Sequence, residues 1–257
     1  MTVSISASAE PSVTAVTSLA FEANVARRSS GVAVLCNGRR EELREKVALA
    51  AERACGLISF GVAGGLDERL RPGDWIIGAA VVADSGHHAT DAGWARRLCE
   101  ALPRAICGDV SGVDTPIASP PGKLALRRRH GTIAVDNESH VVAEAAARRR
   151  IPFVVARVVL DPARRALPPA ALEPLNANGT ADLAAVIRSI IRAPRQLPGL
   201  GLVTLDAFRA WSALRLGCAC LGPALGFAHA AAGDEIAAAG ASEENDVEPA
   251  APWAAAV

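Results

Sequence analysis

The sequence has no excess of charge of either sign, and this limits the partners it can have. Its 27 Lys and Arg residues balance 27 Asp and Glu residues, so the formal net charge is zero. Domains that bind nucleic acid usually carry a clear basic excess. We therefore expect no nucleic-acid partner. At 257 residues the chain is long enough to bury a substantial core.

Spacings typical of metal sites are also missing. The six cysteines include no C-x-x-C pair, and the five histidines show no ligand spacing. We interpret the adjacent His87 and His88 as part of a solvated polar turn. The sequence thus predicts no metal site. We interpret the six cysteines as reduced, mostly buried thiols of a cytoplasmic protein.

Long apolar runs are absent as well. No stretch of about 20 uncharged apolar residues occurs, which is the length a membrane-spanning helix requires. Residues 1–12 have neither the basic start nor the apolar centre of a signal peptide, and we interpret them as a flexible terminus. We interpret residues 230–257, rich in Ala, Glu, Asp and Pro, as a disordered tail. We expect a cytoplasmic protein, and peripheral contact with the inner membrane stays open.

Short β-branched runs alternate with amphipathic stretches, which is the pattern of an α/β fold. The predicted strands are residues 13–19, 31–37, 56–61, 74–83, 131–136 and 152–160. Helical spacing of apolar residues occurs at 43–54, 142–150 and 183–191. We predict a three-layer sandwich with a mixed, largely parallel central sheet over residues 13–197. Apolar helices at 198–229 would pack on this domain or contact lipid.

Glycines cluster where the predicted strand 56–61 ends, in the stretch Gly61-Val62-Ala63-Gly64-Gly65. Without a β-carbon, backbone N–H groups can come close to a ligand and cradle an anion. The alternative is a tight turn with close packing. The stretch is neither a Walker motif nor a dinucleotide fingerprint. These residues alone leave both interpretations open.

The segment that contains these glycines resembles the nucleoside phosphorylase/nucleosidase superfamily. That family has a G-[ST]-A-G-G-L turn followed by a G-D-[IV]-V strand, and this chain has GVAGGL at 61–66 and GDWI at 73–76. The resemblance implies a nucleoside phosphorylase-like fold. It also implies that Gly61, Val62, Ala63 and Gly64 line the pocket for phosphate or an attacking water. Val62 stands where the family often has a hydroxyl residue.

Two acids follow in the family's order. Asp136-Asn137-Glu138 stands at the family's [ED]-M-E motif, and Asp161 follows the next strand. The resemblance implies two catalytic carboxyls and substrate contacts by Asp136 and Asn137. Glu138 would hold the ribose hydroxyls as positive charge develops, and Asp161 would protonate N7 of the departing purine. Apart from the resemblance, Glu138 reads as a helix-terminus acid and Asp161 as a turn residue.

The stretch SLAFEANVARR at 18–28 bears on the identity of the nucleophile. In the hydrolytic methylthioadenosine/adenosylhomocysteine nucleosidases this region reads A-M-E-E-E-V, and the third glutamate activates water. Asn24 stands at that position and cannot act as a general base. Glu22 stands at the first glutamate, and we expect its side chain to point elsewhere on an alternating strand end. The resemblance still assigns Phe21, Glu22 and Asn24 to the substrate-binding region.

Without a base, a nucleophile that arrives as an anion fits better, and phosphate meets that need. Arg39 and Arg40, which follow the second predicted strand, are the candidate phosphate ligands because arginine matches phosphate in bidentate geometry. The resemblance also implies adenine or another 6-aminopurine as the base, because relatives that act on 6-oxopurines tend to have asparagine where this chain has Asp161. By resemblance, Ile117 and Ala118 lie where the family supplies backbone contacts to the base.

Within the superfamily the sequence resembles the hopanoid-associated phosphorylase branch, through LAFEA, ISFGVAGGLD, VDNESH and ALPPAAL. This resemblance implies phosphorolysis of adenosylhopane to adenine and a phosphoribosyl hopane by a homo-oligomer. No cofactor is expected beyond phosphate as co-substrate. Two alternatives stay open. One is a hydrolase of the methylthioadenosine or futalosine type. The other is a nucleoside- or lipid-binding protein without turnover, which the departures at Val62 and Asn137 favour.

Overall fold

The elements alternate along the chain, as the sequence predicts. A computed structural model describes residues 12–102, 104–173 and 175–228, except for the side chain of Arg40. The strands are β1 (Ser12–Thr17), β2 (Val32–Cys36), β3 (Ala54–Gly65), β4 (Trp75–Ala83), β5 (Gly86–Ala89), β6 (Ile106–Gly112), β7 (Ala134–Asp136) and β8 (Phe153–Asp161). The α-helices are α1 (Ala20–Ala26), α2 (Arg40–Ala51), α3 (Ala92–Ala101), α4 (Pro120–His130), α5 (Ser139–Arg149), α6 (Leu183–Arg192) and α7 (Leu197–Leu221). Short 3₁₀ helices follow at Pro169–Leu172, Pro194–Gln196 and Pro223–Gly226. The predicted tail at 230–257 and residues 1–11 of the predicted N-terminus lie outside the described residues.

The eight strands form one mixed sheet in which five pairings are parallel and three are antiparallel. Strands β3, β7, β6, β4 and β8 pair in a closed ring, because β8 bonds to both β3 and β4. Strands β1 and β2 extend the sheet from β3, and β5 extends it from β4. The ring brings the carboxyl-terminal ends of β3, β7 and β8 together.

Helices cover both faces of the sheet. Helices α2 and α5 pack on one face over a core that includes Val47, Leu57 and Val142. Helices α1, α3 and α7 pack on the other face around Phe60, Trp94 and Leu214. The predicted α/β layered fold with a largely parallel central sheet is confirmed. It arises because strands such as β8 are apolar on both faces and must be covered twice.

The glycine stretch was predicted as a turn, and that prediction is wrong. Strand β3 continues through Gly65, pairing with β8 on one side and, at Gly64 and Gly65, with β7 on the other. The register with β8 shifts between Ala63 and Gly64, so Gly64 lies opposite Asp161. The glycines therefore provide close approach to neighbouring side chains along a paired strand, rather than a reversal of the chain.

The prediction for the cysteines is wrong in part. Cys99 on α3 and Cys107 on β6 are paired as a disulfide. Of the remaining thiols Cys218 is buried and Cys220 is exposed, while Cys36 and Cys55 are half-buried. The prediction of a polar turn at His87 and His88 is also wrong, since both residues lie on β5.

Helix α4 begins and ends at residue types that favour helix termini. The Ser119 hydroxyl accepts the Gly122 N–H at 3.2 Å, Pro120 occupies the first turn, and Gly131 ends the helix in the left-handed conformation. These are favourable residue types at both ends of a helix. One turn into α4 lies Lys123, whose side chain is almost completely buried.

Candidate active site

A buried guanidinium group organises one end of the site. Arg157 lies in the middle of β8 and is fully buried. Its Nε lies 3.0 Å from a carboxylate oxygen of Asp136, and one terminal nitrogen donates to Glu138 at 3.0 Å and to the Ser59 hydroxyl at 2.5 Å. Burial alone would lower the pKa of Arg157, but the surrounding carboxylates outweigh it and raise the pKa. The group therefore stays cationic and holds Glu138 in place.

The turn between β7 and α5 is built around Asp136. Its carboxylate accepts the backbone N–H groups of Glu138 and Ser139 at 3.0 and 2.7 Å, as an N-terminal cap would. The Ser139 hydroxyl donates to Asp136 at 2.5 Å and accepts from the Ser59 hydroxyl, whose oxygen lies 2.9 Å away. Asp136 thus fixes the start of α5 and, with it, the direction in which Glu138 projects towards Arg157.

Glu22 is the third carboxylate of this end of the site, and its position differs from the prediction. It lies in the first turn of helix α1, not on a strand end, and it is fully buried. Its carboxylate accepts the N–H groups of Ser18 and Leu19 at 3.1 and 2.9 Å and the N–H of Val62 at 2.8 Å. The expectation that it points elsewhere is wrong, because one helical turn rotates the side chain inward.

Burial raises the pKa of Glu22 to about 7, even though Arg157 lowers it. The neighbouring charge of Glu138 raises it further, and the hydrogen bonds from the backbone of Leu19 and Val62 lower it. A carboxyl with this pKa changes protonation state at neutral pH, which is the property that a general base requires.

Gly61 is the residue that allows Glu22 to reach β3. A β-carbon at this position would lie 2.3 Å from the Glu22 carboxylate, and the backbone φ of +150° disfavours other residues. We expect Gly61→Ala to lower the free energy of unfolding by about 1–3 kcal/mol, as strained backbone positions do. Gly201→Ala on α7 is the matched control, because beyond the adjacent backbone of its own helix no atom lies within 4 Å of the added carbon. This change should raise the free energy of unfolding by up to about 1 kcal/mol. Urea denaturation measures both, and equal stability of the Gly61 variant and the wild type would contradict this contact.

Asp161 forms the other end of the site, at the last residue of β8. It is buried and ion-paired with the equally buried Lys123. The Lys123 ammonium also donates to the carbonyls of Pro162 at 2.9 Å and Arg165 at 3.1 Å, which ties the chain after β8 to α4. Burial raises the pKa of Asp161, Lys123 opposes that rise, and the charge of Asp206 adds to it.

The two ends share one strip of the molecule. Arg157 and Asp161 are four residues apart on β8, at most about 13 Å along the strand. The register shift just before Asp161 interrupts the regular alternation of side chains between them. Strand β3 runs beside them, with Gly61 opposite Arg157 and Gly64 opposite Asp161. A β-carbon at Gly64 would lie 3.5 Å from the Asp161 carboxylate. The bare backbone of β3 thus connects the Arg157 cluster with Asp161.

Four other predicted substrate-binding residues are all half-buried. The Asn137 amide donates to the Val113 carbonyl at 2.6 Å. Ile117 and Ala118 are half-buried in the loop before α4, where the Ala118 carbonyl accepts the Leu167 N–H at 2.9 Å. Phe21 packs against the core beneath α1.

The residues predicted to act on the nucleophile are dispersed. Asn24 is exposed and accepts a hydrogen bond from Arg27 at 3.0 Å. Arg39 is exposed and pairs with Glu42 on α2 at 3.4 Å. The side chain of Arg40 lies outside the described part of the chain, and its backbone starts α2. The Val62 amide, predicted to face phosphate, donates to Glu22 instead.

Two residues at the centre of the site were not among the predicted ones. Arg157 is a charged residue inside the apolar run FVVARVVL, and that interruption is a signal that could have identified it, because a buried charge requires partners. Lys123 stands among other polar residues of α4 and has no such signal. Only the packing of α4 against the end of β8 reveals it.

A comparison with protein-family models decides the family. The model described as the phosphorylase superfamily matches residues 29–192, more than half of the chain. The chain belongs to the phosphorylase superfamily. A search of curated proteins finds no significant match. The matched region of this superfamily member contains β3, Glu138, Arg157 and Asp161, while Glu22 lies just before it.

Solved structures similar to this superfamily member include several nucleosidases. The 5′-methylthioadenosine/S-adenosylhomocysteine nucleosidase of Neisseria meningitidis, in complex with methylthio-immucillin-A, is 17% identical with a TM-score of 0.57, covering 81% of this chain and 97% of its own. The futalosine hydrolase of Helicobacter pylori is also 17% identical, with a TM-score of 0.55 and coverage of 71% and 98%. The nucleosidase of Colwellia psychrerythraea in complex with adenine is 16% identical, with a TM-score of 0.55 and coverage of 71% and 95%. At these identities the likeness establishes the fold.

Proposed function

We propose that this chain is an enzyme that cleaves the N-glycosidic bond of a purine nucleoside, with adenine as the leaving group. One observation carries the proposal. A single strand, β8, carries both the Arg157 that holds Glu138 and the buried acid Asp161, and it pairs with the glycine stretch of β3 at both positions. Cleaving a nucleoside requires a carboxylate near the sugar and an acid near the base, and this strip offers both.

Glu138 is the group proposed to hold the ribose. The guanidinium of Arg157 orients its carboxylate through an ion pair at 3.0 Å, and Glu138 is almost fully buried. A carboxylate held in this way can accept hydrogen bonds from ribose hydroxyls and stabilise the positive charge that develops as the C1′–N9 bond breaks. Burial strengthens this interaction because the local dielectric constant is low.

Asp161 is the group proposed to protonate the departing base. Its raised pKa favours the acid form, which can donate a proton to N7 of adenine. The Lys123 ammonium fixes its orientation and stabilises the carboxylate that remains after proton transfer. Adenine is supported by the Colwellia nucleosidase, which was solved with that base, and by the methylthio-immucillin-A complex of the Neisseria enzyme.

Water is the nucleophile that the geometry supports best. The sequence argument for phosphate depends on the lack of a base at Asn24, but Glu22 places a carboxylate against β3. Three carboxylates, those of Glu22, Asp136 and Glu138, surround one guanidinium, so a phosphate dianion brought to this end would meet a net negative charge. A neutral water molecule would not. Glu22, with a pKa of about 7, is the proposed base.

Replacing Glu22 with glutamine tests this role. A general base must be ionised, so kcat/KM of the wild type should rise with pH through about 7. The Glu22→Gln variant should lose about 10²–10⁴-fold in kcat/KM and lose that limb of the pH profile. Glu144→Gln, which removes a largely buried, ion-paired carboxylate on α5, is the control and should keep both. A Glu22→Gln profile with the wild-type limb intact would refute the assignment.

The raised pKa of Glu22 also has a consequence for stability. Because its pKa of about 7 lies above the ordinary 4.5, the folded chain binds an extra proton between these pH values. The free energy of unfolding of the wild type should therefore fall, relative to Glu22→Gln, as the pH rises from 4.5 to 7. Urea denaturation at pH 5 and pH 7.5 measures the difference without any substrate.

Phosphorolysis of adenosylhopane is the second candidate. The observation that favours it is Asn24, which replaces the glutamate that activates water in the hydrolytic relatives. Asn24 is exposed and accepts a hydrogen bond from Arg27. The motifs shared with the hopanoid-associated branch support it as well. This candidate requires Glu22 to be protonated or displaced when phosphate enters, and it assigns phosphate binding to Arg39 and Arg40, with a homo-oligomer as the working form.

One assay tests the proposed function and separates the candidates. Adenosine, methylthioadenosine and a 5′-alkyl adenosine are incubated with the protein with and without phosphate, and adenine and the sugar product are measured. Adenine with a free sugar in both buffers supports hydrolysis. Adenine only with phosphate, together with a sugar 1-phosphate, supports phosphorolysis. Nucleoside binding without any adenine would overturn the enzymatic proposal and support a binding protein.

A further inference from the structure

Helix α6 presents three large apolar side chains to solvent, while Val186 and Ile190 are half-buried. Leu183, Ile187 and Ile191 repeat at a spacing of four, and they are 71%, 55% and 73% exposed. The side of α6 that faces the protein carries the small residues Ala185 and Ser189 instead. A helix that only covered a core would show the reverse arrangement. The solvent-facing side of α6 is therefore apolar in the way that surfaces bound by a partner or a membrane are.

Helix α7 adds to this exposed apolar surface. The side of α7 against the sheet carries Asp206, Ala210, Leu214 and Cys218, all of them buried. Elsewhere on α7 large apolar residues are exposed, namely Leu197, Leu202, Leu205, Phe208, Trp211 and Leu216. With α6 these make up nine of the thirteen exposed large apolar side chains in the described residues, so the exposure is concentrated in one segment of the chain.

The charge of this segment is one-sided. Residues 183–221 contain five arginines, no lysine and a single acid, Asp206, although the whole chain has a formal net charge of zero. Asp206 is buried and paired with Arg165 at 2.9 Å and Arg209 at 3.4 Å. The arginines of the segment are Arg188, Arg192, Arg195, Arg209 and Arg215, all at exposed positions. Exposed apolar side chains thus alternate with arginines, and the segment has only one acidic residue to balance their positive charge.

Exposed apolar side chains together with positive charge favour one kind of binding partner for this surface over another. A second copy of the chain packed symmetrically on it would bring together two surfaces that both carry a positive charge, which costs free energy. A bilayer with anionic headgroups satisfies both features, since apolar side chains enter the headgroup boundary and arginines pair with lipid phosphates. Within the described residues no helix has the length and apolarity to cross a bilayer. Helices α6 and α7 would therefore lie along the membrane surface.

We propose that α6 and α7 form a docking surface for an anionic lipid bilayer. Leu183, Ile187 and Ile191 would insert at the headgroup boundary together with Phe208 and the other exposed apolar residues of α7. The arginines between them would contact lipid phosphates. This inference does not depend on the proposed function, because it concerns a surface and not the strip that contains Glu138 and Asp161.

Vesicle co-sedimentation of the full chain tests the proposal, with no nucleoside present. We expect the wild type to bind vesicles of phosphatidylcholine with 30 mole per cent phosphatidylglycerol at least tenfold more tightly than pure phosphatidylcholine vesicles. Since salt screens exposed charges, binding should weaken between about 0.1 and 0.5 M salt. The double variants Ile187→Glu/Ile191→Glu and Arg188→Gln/Arg192→Gln should each bind at least tenfold less. Leu49→Glu, at a site on α2 that is 58% exposed, is the control and should bind as the wild type does.

Two further results would overturn the proposal. Equal binding by the Ile187→Glu/Ile191→Glu variant and the wild type would exclude α6 as the docking element. Vesicle-independent dimers in analytical ultracentrifugation that this variant dissociates would show that a second copy covers the surface. Circular dichroism establishes that each variant is folded. The adenine assay with water-soluble nucleosides stays separate, so a failure of docking and a failure of the proposed activity are distinguishable.

Discussion

Asp161→Asn should abolish adenine release while leaving nucleoside binding largely intact. The variant keeps the size of the side chain but removes the proton that Asp161 is proposed to deliver to the base. Loss of a general acid costs about 10²–10⁴-fold in rate. Because adenine is a poor leaving group without protonation, kcat should fall by this factor, and the dissociation constant of the nucleoside should change by less than about tenfold, or 1.4 kcal/mol. Chromatographic detection of adenine and isothermal titration calorimetry measure the two quantities.

Asp67→Asn is the matched control for this variant. Asp67 is also a buried, ion-paired aspartate, but its carboxylate bonds to Arg69 and Arg127, and these pairs hold the pKa of Asp67 well below its ordinary value. Its replacement should lower the stability, because two ion pairs are lost, and should leave kcat within about threefold, since no proton is taken from it. Full activity in Asp161→Asn would remove the proton-donor assignment. A loss of nucleoside binding equal to the loss in rate would make Asp161 a binding residue instead.

Arg157→Met should lower the free energy of unfolding more than any single change elsewhere on β8. Methionine fills much of the same volume but leaves Glu22, Asp136 and Glu138 without their shared cation. Removing one partner from a buried ion pair typically costs about 3–5 kcal/mol. Fully buried, and contacted by two of these carboxylates at 3.0 Å, Arg157 belongs in that class. Urea denaturation at pH 7.5, above the pKa of about 7 of Glu22, measures the loss.

Arg164→Met provides the comparison for Arg157. The Arg164 side chain is 80% exposed and pairs with Glu68 at the surface, so its loss should change the free energy of unfolding by less than about 1 kcal/mol. The cost of Arg157→Met should also shrink as the pH falls towards 5, because Glu22 then takes up a proton and the uncompensated charge decreases. Equal stability losses in the two arginine variants would show that the buried cluster is not held by Arg157.

The layered fold could be predicted because its strands carry a strong signal. Strand β8 and the first half of β3 are apolar on both faces, which is the pattern of strands covered by helices on two sides. Strand β6 was missed because ICGDVSG contains two glycines, an aspartate and a serine. It is a strand because it pairs with β4 and β7 on either side, and that stabilisation comes from residues distant in sequence.

The candidate site was predicted only where a residue's role follows from its local motif. The order of the glycine stretch, Glu138 and Asp161 could be recognised along the chain. Strands β3 and β8 bring the glycine stretch beside Asp161, and Arg157 on β8 contacts Glu138. The direction of Glu22 could not, because a strand end and a helix turn direct the same residue to opposite sides. The partner of Asp161 is likewise invisible in the sequence, since Lys123 reaches it across 38 positions.

The central claim is that one nucleoside spans the strip from Glu138 to Asp161. A crystal structure of the full chain with methylthio-immucillin-A, the ligand of the Neisseria complex, tests it most directly. We predict the sugar-like ring within hydrogen-bond distance of Glu138, and the base with its N7 position within hydrogen-bond distance of Asp161. A ligand bound elsewhere, or one that contacts only one of these two carboxyls, would contradict the account.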